Sequence, residues 1–263
     1  MSSKKESVAR TLTVALLVCL VCSVVVSAAA VALKPVQTTN RLQDKQRNIL
    51  QIAGLYDESR SIEEQFSQIT PRLVDLRTGE FSDAQDPLTF DQQKASKDPD
   101  MSQQLTGEQD IASIRRRADY STVYVVENTD GSIKTLILPI HGYGLWSTLY
   151  GFMALESDLQ TVVGLGFYQH AETPGLGGEV DNPNWKAQWQ GKVVYDESGD
   201  VDISVVKGSV DPNSPKAEHQ VDGLAGATLT SRGVESLVRF WLGEDGFGPL
   251  VPYGFDSVFP APQ

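Results

Sequence analysis

An uncharged, mostly apolar stretch covers residues 11–33 near the start of the chain. As a helix it would extend about 35 Å, which is enough to cross the hydrocarbon core of a bilayer. The basic residues Lys4, Lys5 and Arg10 precede it, and the small residues 28–30 resemble a cleavage site, so a cleaved signal peptide is the alternative. Because the stretch is longer than the apolar core of a typical signal peptide, we expect an uncleaved membrane anchor over 11–33.

The orientation of this anchor follows from the basic residues around it. They flank both ends in nearly equal number, but several on the C-terminal side lie farther into the next segment. This favours a cytoplasmic N-terminus. No second apolar run of spanning length occurs in the sequence. We therefore expect a single-pass protein with a cytoplasmic tail at 1–10, a transmembrane anchor at 11–33 and a soluble body across the membrane.

The charge balance and the cysteines narrow the class of protein further. The net charge of −12 argues against nucleic acid as a partner, because phosphate binding needs clustered positive charge. Both cysteines, Cys19 and Cys22, lie within the apolar stretch. A small fold stapled by disulfides is therefore excluded.

Residues 34–120 form a helical and polar membrane-proximal region. Apolar residues at helical spacing predict an amphipathic helix over 41–56 that continues from the anchor. The following stretch, 57–120, contains many acidic residues, glutamines and prolines. It predicts a loosely structured insertion with short helices, one of them at 61–69.

From residue 121 the pattern changes to strands and turns, which predicts a globular domain over 121–263. Apolar and alternating runs predict strands at 121–127, 132–140, 149–157, 161–170, 192–196 and 202–208. Helices are predicted at 183–189 and 231–242, with coil after the second. The expected fold class is α+β, a single domain with a twisted mixed or antiparallel sheet and packed helices, plus one N-terminal transmembrane helix.

Segment 221–231 reads VDGLAGATLTS and leads into the second of these helices. Its small residues would let a ligand approach the backbone, and free N–H groups at a helix start favour an anion such as a phosphate. The alternative is an ordinary helix cap made by Thr230 or Ser231, with Glu235 in the first turns. On the residue pattern alone, the ordinary cap is favoured.

Two earlier loops also have the composition of a ligand site. Segment 142–152 (GYGLWSTLYGF) interleaves aromatic residues with glycine, which suits either a wall for a planar cofactor or ordinary packing of Tyr143, Trp146 and Tyr150 on the sheet. Segment 164–179 (GLGFYQHAETPGLGGE) ends a strand in a rigid loop that can lay its backbone against a flat ring.

Other kinds of site are weakly supported. His170 and Glu172, joined by His141 or His219, are a metal-site alternative, but the H-E-x-x-H spacing is absent. Neither a Walker loop nor a Rossmann glycine motif occurs in the sequence. Binding of ATP or of a nicotinamide nucleotide by this chain is therefore not expected.

Together, the three segments resemble the FMN-binding domain family, and within it the C subunit of sodium-translocating NADH:quinone reductases, to which the G subunit of Rnf complexes is related. The family's flavinylation motif is Asp-x-x-(Ser/Thr)-Gly-Ala-Thr, and its last threonine carries FMN through a phosphoester bond. The resemblance implies that Thr228 is the covalent FMN acceptor, preceded in the motif by Asp222, Gly226 and Ala227. The sequence departs from the motif at Ala225, which keeps a small residue but removes a hydroxyl.

The resemblance also implies which residues line the isoalloxazine ring. One wall is expected from the aromatic loop, namely Tyr143, Leu145, Trp146, Ser147 and Thr148. The opposite wall is expected from the loop after the strand, namely Glu172, Thr173, Gly175 and Leu176. Lys207 is a candidate partner for the phosphate or the ring, with a solvated strand-edge lysine as the alternative. No catalytic residue and no metal ligand is assigned.

The implied function is electron transfer within a sodium-pumping NADH:ubiquinone oxidoreductase of the bacterial inner membrane, with the FMN-binding domain in the periplasm. The chain would act with the other subunits of a six-subunit complex, and a separate Mg²⁺-dependent flavin transferase would attach FMN from FAD. Two alternatives stay open, the FMN-carrying subunit of an Rnf-type ferredoxin:NAD⁺ oxidoreductase and a cofactor-free, membrane-tethered binding module. The insertion at 57–120 and the residues 142–148 favour the quinone reductase over the Rnf complex.

Overall fold

The computed structural model describes residues 7–250 of the chain. The chain divides into two compact units between Lys45 and Gln46. The coil predicted at 251–263 and residues 1–6 of the predicted cytoplasmic tail lie outside the described residues.

One helix, α1 (Val8–Ile52), contains both the predicted anchor and most of the predicted amphipathic helix. Hydroxyl groups within its apolar part donate back to the helix, Thr13 to the carbonyl of Ala9 (2.9 Å) and Ser23 to that of Cys19 (2.7 Å). These bonds satisfy the polar groups that a membrane interior would otherwise leave unpaired. By length and composition α1 can cross a membrane, a criterion that a signal sequence also meets.

Helix α1 ends at Ile52 rather than at the predicted residue 56, because a glycine terminates it. Gly54 has a φ of +67°, in the left-handed region that favours glycine. The N–H of Leu55 donates to the carbonyl of Leu50 (2.8 Å), and the N–H of Gly54 donates to that of Gln51 (3.1 Å). This pair of bonds is a Schellman motif, which closes the helix.

The second unit is built on antiparallel strands. These are β1 (Ile69–Asp75), β2 (Ser102–Gln104), β3 (Arg116–Ala118), β4 (Tyr120–Glu127), β5 (Ile133–Tyr143), β6 (Thr148–Glu156) and β7 (Val162–Gln169), followed by the short β8 (Ser204–Val205) and β9 (Gln220–Val221). The main sheet has the order β1-β4-β5-β6-β7, β2 pairs with β3, and β8 pairs with β9 in parallel. The other helices are α2 (Ile62–Phe66), α3 (Gln92–Ala95), α4 (Pro183–Ala187) and α5 (Thr228–Leu242). The predicted α+β class is confirmed.

Both faces of the main sheet are covered, which explains the uninterrupted apolar run in β5. Leu136 and Leu138 belong to the core that also contains residues of α5. Ile137, between them, belongs to a second core on the opposite face, together with Ile49 and Leu50 from the last turns of α1. Successive side chains of a strand point to opposite faces, so burial of both faces removes the polar positions that a half-exposed strand would show.

The prediction of a loosely structured insertion at 57–120 is wrong, because β1, β2 and β3 all lie within it. Residues 69–75 form β1, which pairs along β4 from Ile69 opposite Val126 to Asp75 opposite Tyr120. Pro71 is tolerated there because β1 is an edge strand of the sheet. The helix predicted at 61–69 is accordingly shorter and covers Ile62–Phe66.

The segments predicted as strands at 192–196 and 202–208 meet across a turn but do not form a regular two-stranded ladder. Tyr195 makes an isolated antiparallel bridge with Val201, and the N–H of Asp202 donates to the carbonyl of Val194 (3.0 Å). Within those two ranges Ser204–Val205 forms β8, and its partner is the parallel strand β9. Val193 makes a separate isolated bridge with Thr161. The pairing with β9 brings the 202–208 segment against the start of segment 221–231, which leads to α5.

Candidate cofactor site

Helix α5 begins at Thr228, three residues earlier than predicted, and no side-chain hydrogen bond caps it at Ala227. The interpretation of Thr230 or Ser231 as the cap is wrong. Ser231 Oγ accepts a hydrogen bond from the N–H of Leu224 (2.9 Å), whereas Thr230 Oγ1 donates to the carboxylate of Glu172 (2.7 Å). Among residues 7–250, α5 therefore starts without a capping side chain for its first N–H groups.

The three hydroxyl groups of this first turn differ in accessibility. Thr230 is fully buried and Ser231 is nearly so, and both hydroxyls are hydrogen-bonded within the protein. Thr228 is exposed, and within the described residues its hydroxyl forms no hydrogen bond. Of the three, Thr228 is thus the one whose oxygen is free to react or to be modified.

Asp222 anchors the loop that leads into α5. Its carboxylate accepts hydrogen bonds from the N–H of Val210 (2.8 Å) and from the side-chain amide of Gln188 (3.2 Å). In return, Gln188 Oε1 accepts a hydrogen bond from the N–H of Asp222 (3.0 Å), and Trp185 Nε1 donates to the backbone carbonyl of Asp222 (2.8 Å). These bonds determine the path of the loop before Thr228.

Two glycines allow the loop to follow this path. A Cβ on Gly223 would lie 2.3 Å from the carbonyl oxygen of Val206, so no other residue fits there without a backbone shift. Gly226 has a φ of +72°, in the left-handed region. Ala225 is exposed beside it, and Ala227 is buried. Gly226 and Ala227 of the motif therefore have a conformational and a steric reason to be small, whereas the exposed position of Ala225 gives none.

An open cleft of about 960 Å³ adjoins Thr228 and is lined by residues 205–209, by the loop and by α5. Lys207 and Arg232 line it as exposed cations. Glu235 also lines it, but its carboxylate accepts the N–H of Val205 (3.1 Å). Arg232 was not among the predicted site residues, although its spacing of four from Thr228 puts both on one side of the helix. The cleft thus holds two exposed cations beside two carboxylates, Glu235 and Asp222, that are engaged by backbone donors.

Glu172 is the centre of a second network. Its Oε1 accepts hydrogen bonds from the backbone N–H groups of Leu145 (3.0 Å), Trp146 (3.0 Å) and Ser147 (3.4 Å). Its Oε2 accepts from the Thr230 hydroxyl of α5 (2.7 Å). The residue is 5% exposed, so both carboxylate oxygens are engaged by protein donors inside the fold.

These contacts determine the charge of Glu172. Burial raises the pKa of its carboxyl group, but the hydrogen bonds from Trp146, Thr230, Leu145 and Ser147 together lower it more, so that the pKa lies below its ordinary value. Among residues 7–250, no lysine or arginine forms an ion pair with it. Glu172 is thus an ionised carboxylate stabilised by hydrogen bonds.

The apolar side chains predicted to line the ring are exposed around this network. Trp146 is 64% exposed, and Tyr143, Leu145 and Leu176 are exposed as well. Ordinary packing on the sheet therefore does not describe Trp146. Leu176 reaches the loop before α5, since its Cδ2 lies 3.1 Å from the position of a Cβ on Gly226. The fold thus brings both predicted walls to the start of α5.

The other predicted wall residues shape the two loops. Ser147 Oγ accepts a hydrogen bond from the N–H of Ala171 (2.7 Å), which ties one loop to the other. Thr148 is half-buried at the start of β6. Thr173 is exposed, and Gly175 makes the following turn with a φ of +77°.

The histidines of the metal-site alternative lie in separate environments. His170 Nε2 is hydrogen-bonded to Asp181 (2.8 Å), which raises the pKa of the imidazole. His219 Nδ1 is hydrogen-bonded to the carbonyl of Val193 (2.8 Å), and His141 packs between aromatic rings. In the described part of the chain, no three His, Cys, Asp or Glu side chains are grouped as metal ligands.

Comparison with known families agrees with this arrangement. Residues 144–243 match the model of the FMN-binding domain family. The matched range includes the Glu172 network, segment 221–231 and α5. The fold and the site therefore define a protein with an FMN-binding domain.

Proteins that are similar over nearly the whole chain identify the family more narrowly. The C subunit of the Na(+)-translocating NADH-quinone reductase of Pseudomonas aeruginosa is 64% identical over 249 residues, which cover 93% of this chain and 95% of that protein. The C subunits of Yersinia pestis (52% identical, covering 94% of this chain and 92% of the relative) and Vibrio vulnificus strain YJ016 (50%, covering 95% and 96%) are also similar. The chain belongs to the family formed by the C subunits of Na(+)-translocating NADH-quinone reductases, and the resemblance inferred from the three segments is confirmed.

Solved structures of the same family have a similar fold. NqrC of Shewanella oneidensis matches with a TM-score of 0.72 and 34% identity, over 79% of this chain and 94% of that chain. The C subunit of the Na(+)-translocating NADH-quinone reductase from Parabacteroides distasonis matches with a TM-score of 0.59 and 28% identity, over 84% and 94%.

Proposed function

We propose that the chain is an electron-transfer subunit of a membrane-bound, sodium-pumping NADH:ubiquinone oxidoreductase and that it carries FMN on Thr228 through a phosphoester bond. The observation that carries the proposal is the difference among the three hydroxyls of segment 221–231. Thr230 and Ser231 are buried and hydrogen-bonded, whereas Thr228 is exposed at the start of α5. The threonine that ends the family motif is therefore also the accessible one.

The surroundings of Thr228 fit the phosphate of FMN. The uncapped start of a 15-residue helix favours a negative charge there. Lys207 and Arg232 add positive charge along the adjoining cleft. Asp222, which heads the motif, contributes by holding the loop, since its carboxylate is bonded to Val210 and Gln188.

The exposed apolar side chains fit the isoalloxazine ring. Trp146, Leu145, Tyr143 and Leu176 surround the start of α5, and burying such a group of side chains under a planar ligand is favourable. The hydroxyls of Ser147 and Thr148 would give the ring polar contacts. FMN, when bound, supplies the one- and two-electron chemistry that links NADH oxidation to quinone reduction. The residues of this chain hold and orient it.

Attachment requires a second protein. Modification of Thr228 forms an Oγ1–P bond, breaks the pyrophosphate bond of FAD, and releases AMP and the hydroxyl proton. A threonine hydroxyl is a weak nucleophile and needs a base and a metal-activated phosphate. We therefore assign the reaction to a separate flavin transferase, with this chain as its substrate.

We further propose that α1 anchors the chain in the bacterial inner membrane. The anchor is 11–33, the tail 1–10 is cytoplasmic, 34–120 is membrane-proximal, and the FMN-binding domain at 121–263 is periplasmic. The apolar, charge-free composition of α1 over 11–33 supports a single membrane passage. The curated relatives described above are named as subunits of one reductase, which supports assembly with its other subunits rather than with an Rnf complex.

The test is to coexpress the full chain with a flavin transferase and to measure its intact mass and peptide map. We expect an added mass of FMN minus one water on the peptide that contains Thr228. Thr228→Val should abolish it, and Thr228→Ser, which keeps a hydroxyl, should retain it. An adduct on Thr230 or Ser231 would contradict the assignment to Thr228. An unmodified wild-type chain would favour the cofactor-free binding module.

A further inference from the structure

Three segments that are distant in sequence meet at the carboxylate of Glu172. Oε1 receives three consecutive N–H groups of the turn 145–147, and Oε2 receives the hydroxyl of Thr230 in the first turn of α5. Glu172 itself belongs to the loop after β7 that also contains Leu176. One side chain therefore connects the aromatic turn, this loop and the helix that begins with Thr228.

The space around this carboxylate is closed by two glycines. A Cβ on Gly144 would lie 2.6 Å from Oε1 of Glu172. A Cβ on Gly177 would lie 2.6 Å from Oε2 and equally close to the hydroxyl of Thr230. A side chain fits at neither position, and no room for a ligand is left between the carboxylate and its donors.

Glu172 is less accessible to a ligand than the residues whose backbone it holds. Its two oxygens are already engaged, and it is 5% exposed, whereas Trp146 is 64% exposed. A planar ligand at the start of α5 can therefore contact Trp146 and Leu145, while Glu172 lies beneath them. The buried negative charge is retained because three backbone donors converge on one oxygen.

We propose that Glu172 is a positioning residue that builds the wall for the flavin without contacting it. It fixes the turn 144–147, and with it the side chain of Trp146, relative to the first turn of α5. A group tethered to Thr228 then meets a preformed wall, so the turn does not have to become ordered during attachment. This inference rests on the proposed function and assigns Glu172 a different role from that of a ring contact.

The wall can be tested without flavin, because Trp146 differs from the other tryptophans. Trp185, Trp189 and Trp241 are buried and Trp146 is exposed. In the full chain produced without transferase, decay of tryptophan fluorescence anisotropy measures the nanosecond mobility of Trp146. Glu172→Gln keeps one oxygen for the N–H groups of the turn 145–147, but it removes the negative charge and places an amide donor against the hydroxyl of Thr230. We expect it to add a fast component to the decay.

The connection to α5 is tested at Thr230. Thr230→Val keeps the shape of the side chain but removes the donor to Oε2 of Glu172. We expect it to add a fast component to the anisotropy decay that is smaller than the one in Glu172→Gln. Thr230→Ser keeps the hydroxyl and should restore the wild-type decay. Tyr195→Phe is the matched control, since it removes a buried hydrogen bond to the carbonyl of Leu242 at the other end of α5. Tyr195→Phe should leave the anisotropy decay of Trp146 unchanged.

The second readout is the rate of flavin attachment to the purified apo chain by transferase and FAD, followed by in-gel flavin fluorescence. One buried donor left without its acceptor is expected to slow attachment about tenfold in Glu172→Gln. Thr230→Val should also slow it, Thr230→Ser should restore it, and Tyr195→Phe should not change it. A variant that combines Glu172→Gln with Thr230→Val should be no slower than Glu172→Gln alone, because both changes break the same hydrogen bond between the two residues.

The two proposals fail in different ways. A wild-type chain that accepts no flavin contradicts the proposed function, and the anisotropy decay still decides the role of Glu172. Normal attachment and an unchanged decay in Glu172→Gln overturn the positioning role and leave the flavin assignment intact. Far-UV circular dichroism identifies a variant that does not fold. If Glu172→Gln is such a variant, the Val and Ser variants of Thr230 decide the question.

Discussion

Glu172 and Asp222 use the same interaction to build two different surfaces near the start of α5. Glu172 accepts three backbone N–H groups and Asp222 accepts one, and each carboxylate thereby orders a loop. The loops held by Glu172 display apolar side chains, with Trp146 the most exposed of them, whereas the cleft lined by Asp222 displays Lys207 and Arg232. A carboxylate beneath a loop can thus set its shape and leave the surface chemistry to the neighbouring side chains.

The two carboxylates differ in how much water can compensate for their loss. Glu172 is buried, so donors that lose it stay unpaired, whereas Asp222 is half-buried beside an open cleft. An unpaired donor is costly where water cannot reach it. We therefore expect substitutions around Glu172 to lower the free energy of unfolding more than substitutions around Asp222.

The largest effect is expected from Gly177→Ala. The new Cβ would lie 2.6 Å from both Glu172 Oε2 and Thr230 Oγ1, so it would separate the two groups. We expect the free energy of unfolding in urea to fall by about 3 kcal/mol, the sum of overpacking and a broken buried hydrogen bond. Gly175→Ala, at a φ of +77° in open space, is the control and should cost about 1 kcal/mol. Equal losses would contradict the enclosure of Glu172.

The next largest effect is a dependence of the unfolding free energy on pH that is caused by the carboxyl group of Glu172. Its carboxyl pKa lies below the ordinary value of 4.5, so its contribution to stability is complete above pH 4.5 and is lost as the pH falls through the lowered pKa. We expect the difference in unfolding free energy between wild type and Glu172→Gln to be constant between pH 4.5 and the ordinary histidine pKa of 6.5, and to shrink in acid. His170 stays protonated throughout that range, because Asp181 and, to a lesser extent, Glu172 raise its pKa above 6.5. A difference that stays constant in acid would argue against an ionised Glu172.

A smaller effect is expected at Asp222. Asp222→Asn keeps one oxygen for the N–H of Val210 but places an amide against Gln188, and water in the cleft can replace part of the loss. We expect a loss of about 1 kcal/mol in urea unfolding, less than for Glu172→Gln. Asp202→Asn, which removes an ion pair with Lys216, is the control and should cost less than about 1 kcal/mol. A loss at Asp222 as large as at Glu172 would remove the distinction between the two surfaces.

The smallest effect is expected from the exposed cations of the cleft. Lys207→Gln and Arg232→Gln should each slow flavin attachment less than about fivefold, because exposed charges contribute little. The slowing should disappear at high ionic strength, where such charges are screened. Lys216→Gln, outside the cleft, is the control. Slowing that persists in high salt would indicate a direct contact rather than a general field.

Much of the fold is predictable where neighbouring residues carry the information. The apolar stretch 11–33 and the strands between 121 and 170 follow from composition and alternation, and all of them form regular structure. The edge strand β1 was missed because Pro71 and Arg72 interrupt its apolar pattern, and its pairing with β4 depends on residues about 50 positions away. The segments predicted as strands at 192–196 and 202–208 do meet across a turn, but the regular pairing of β8 is with the distant strand β9, which a local pattern does not reveal.

The sequence by itself determined the long apolar helix, the family, and the motif that ends in Thr228, because each is written in consecutive residues. Only the tertiary structure decided which hydroxyl of 228–231 is accessible and what Glu172 does. The hydrogen bond between Thr230 and Glu172 spans 58 positions, and those from the turn 145–147 span 25 to 27. Hydrogen-bond partners depend on which segments the sheet brings together, and a local pattern does not contain that information.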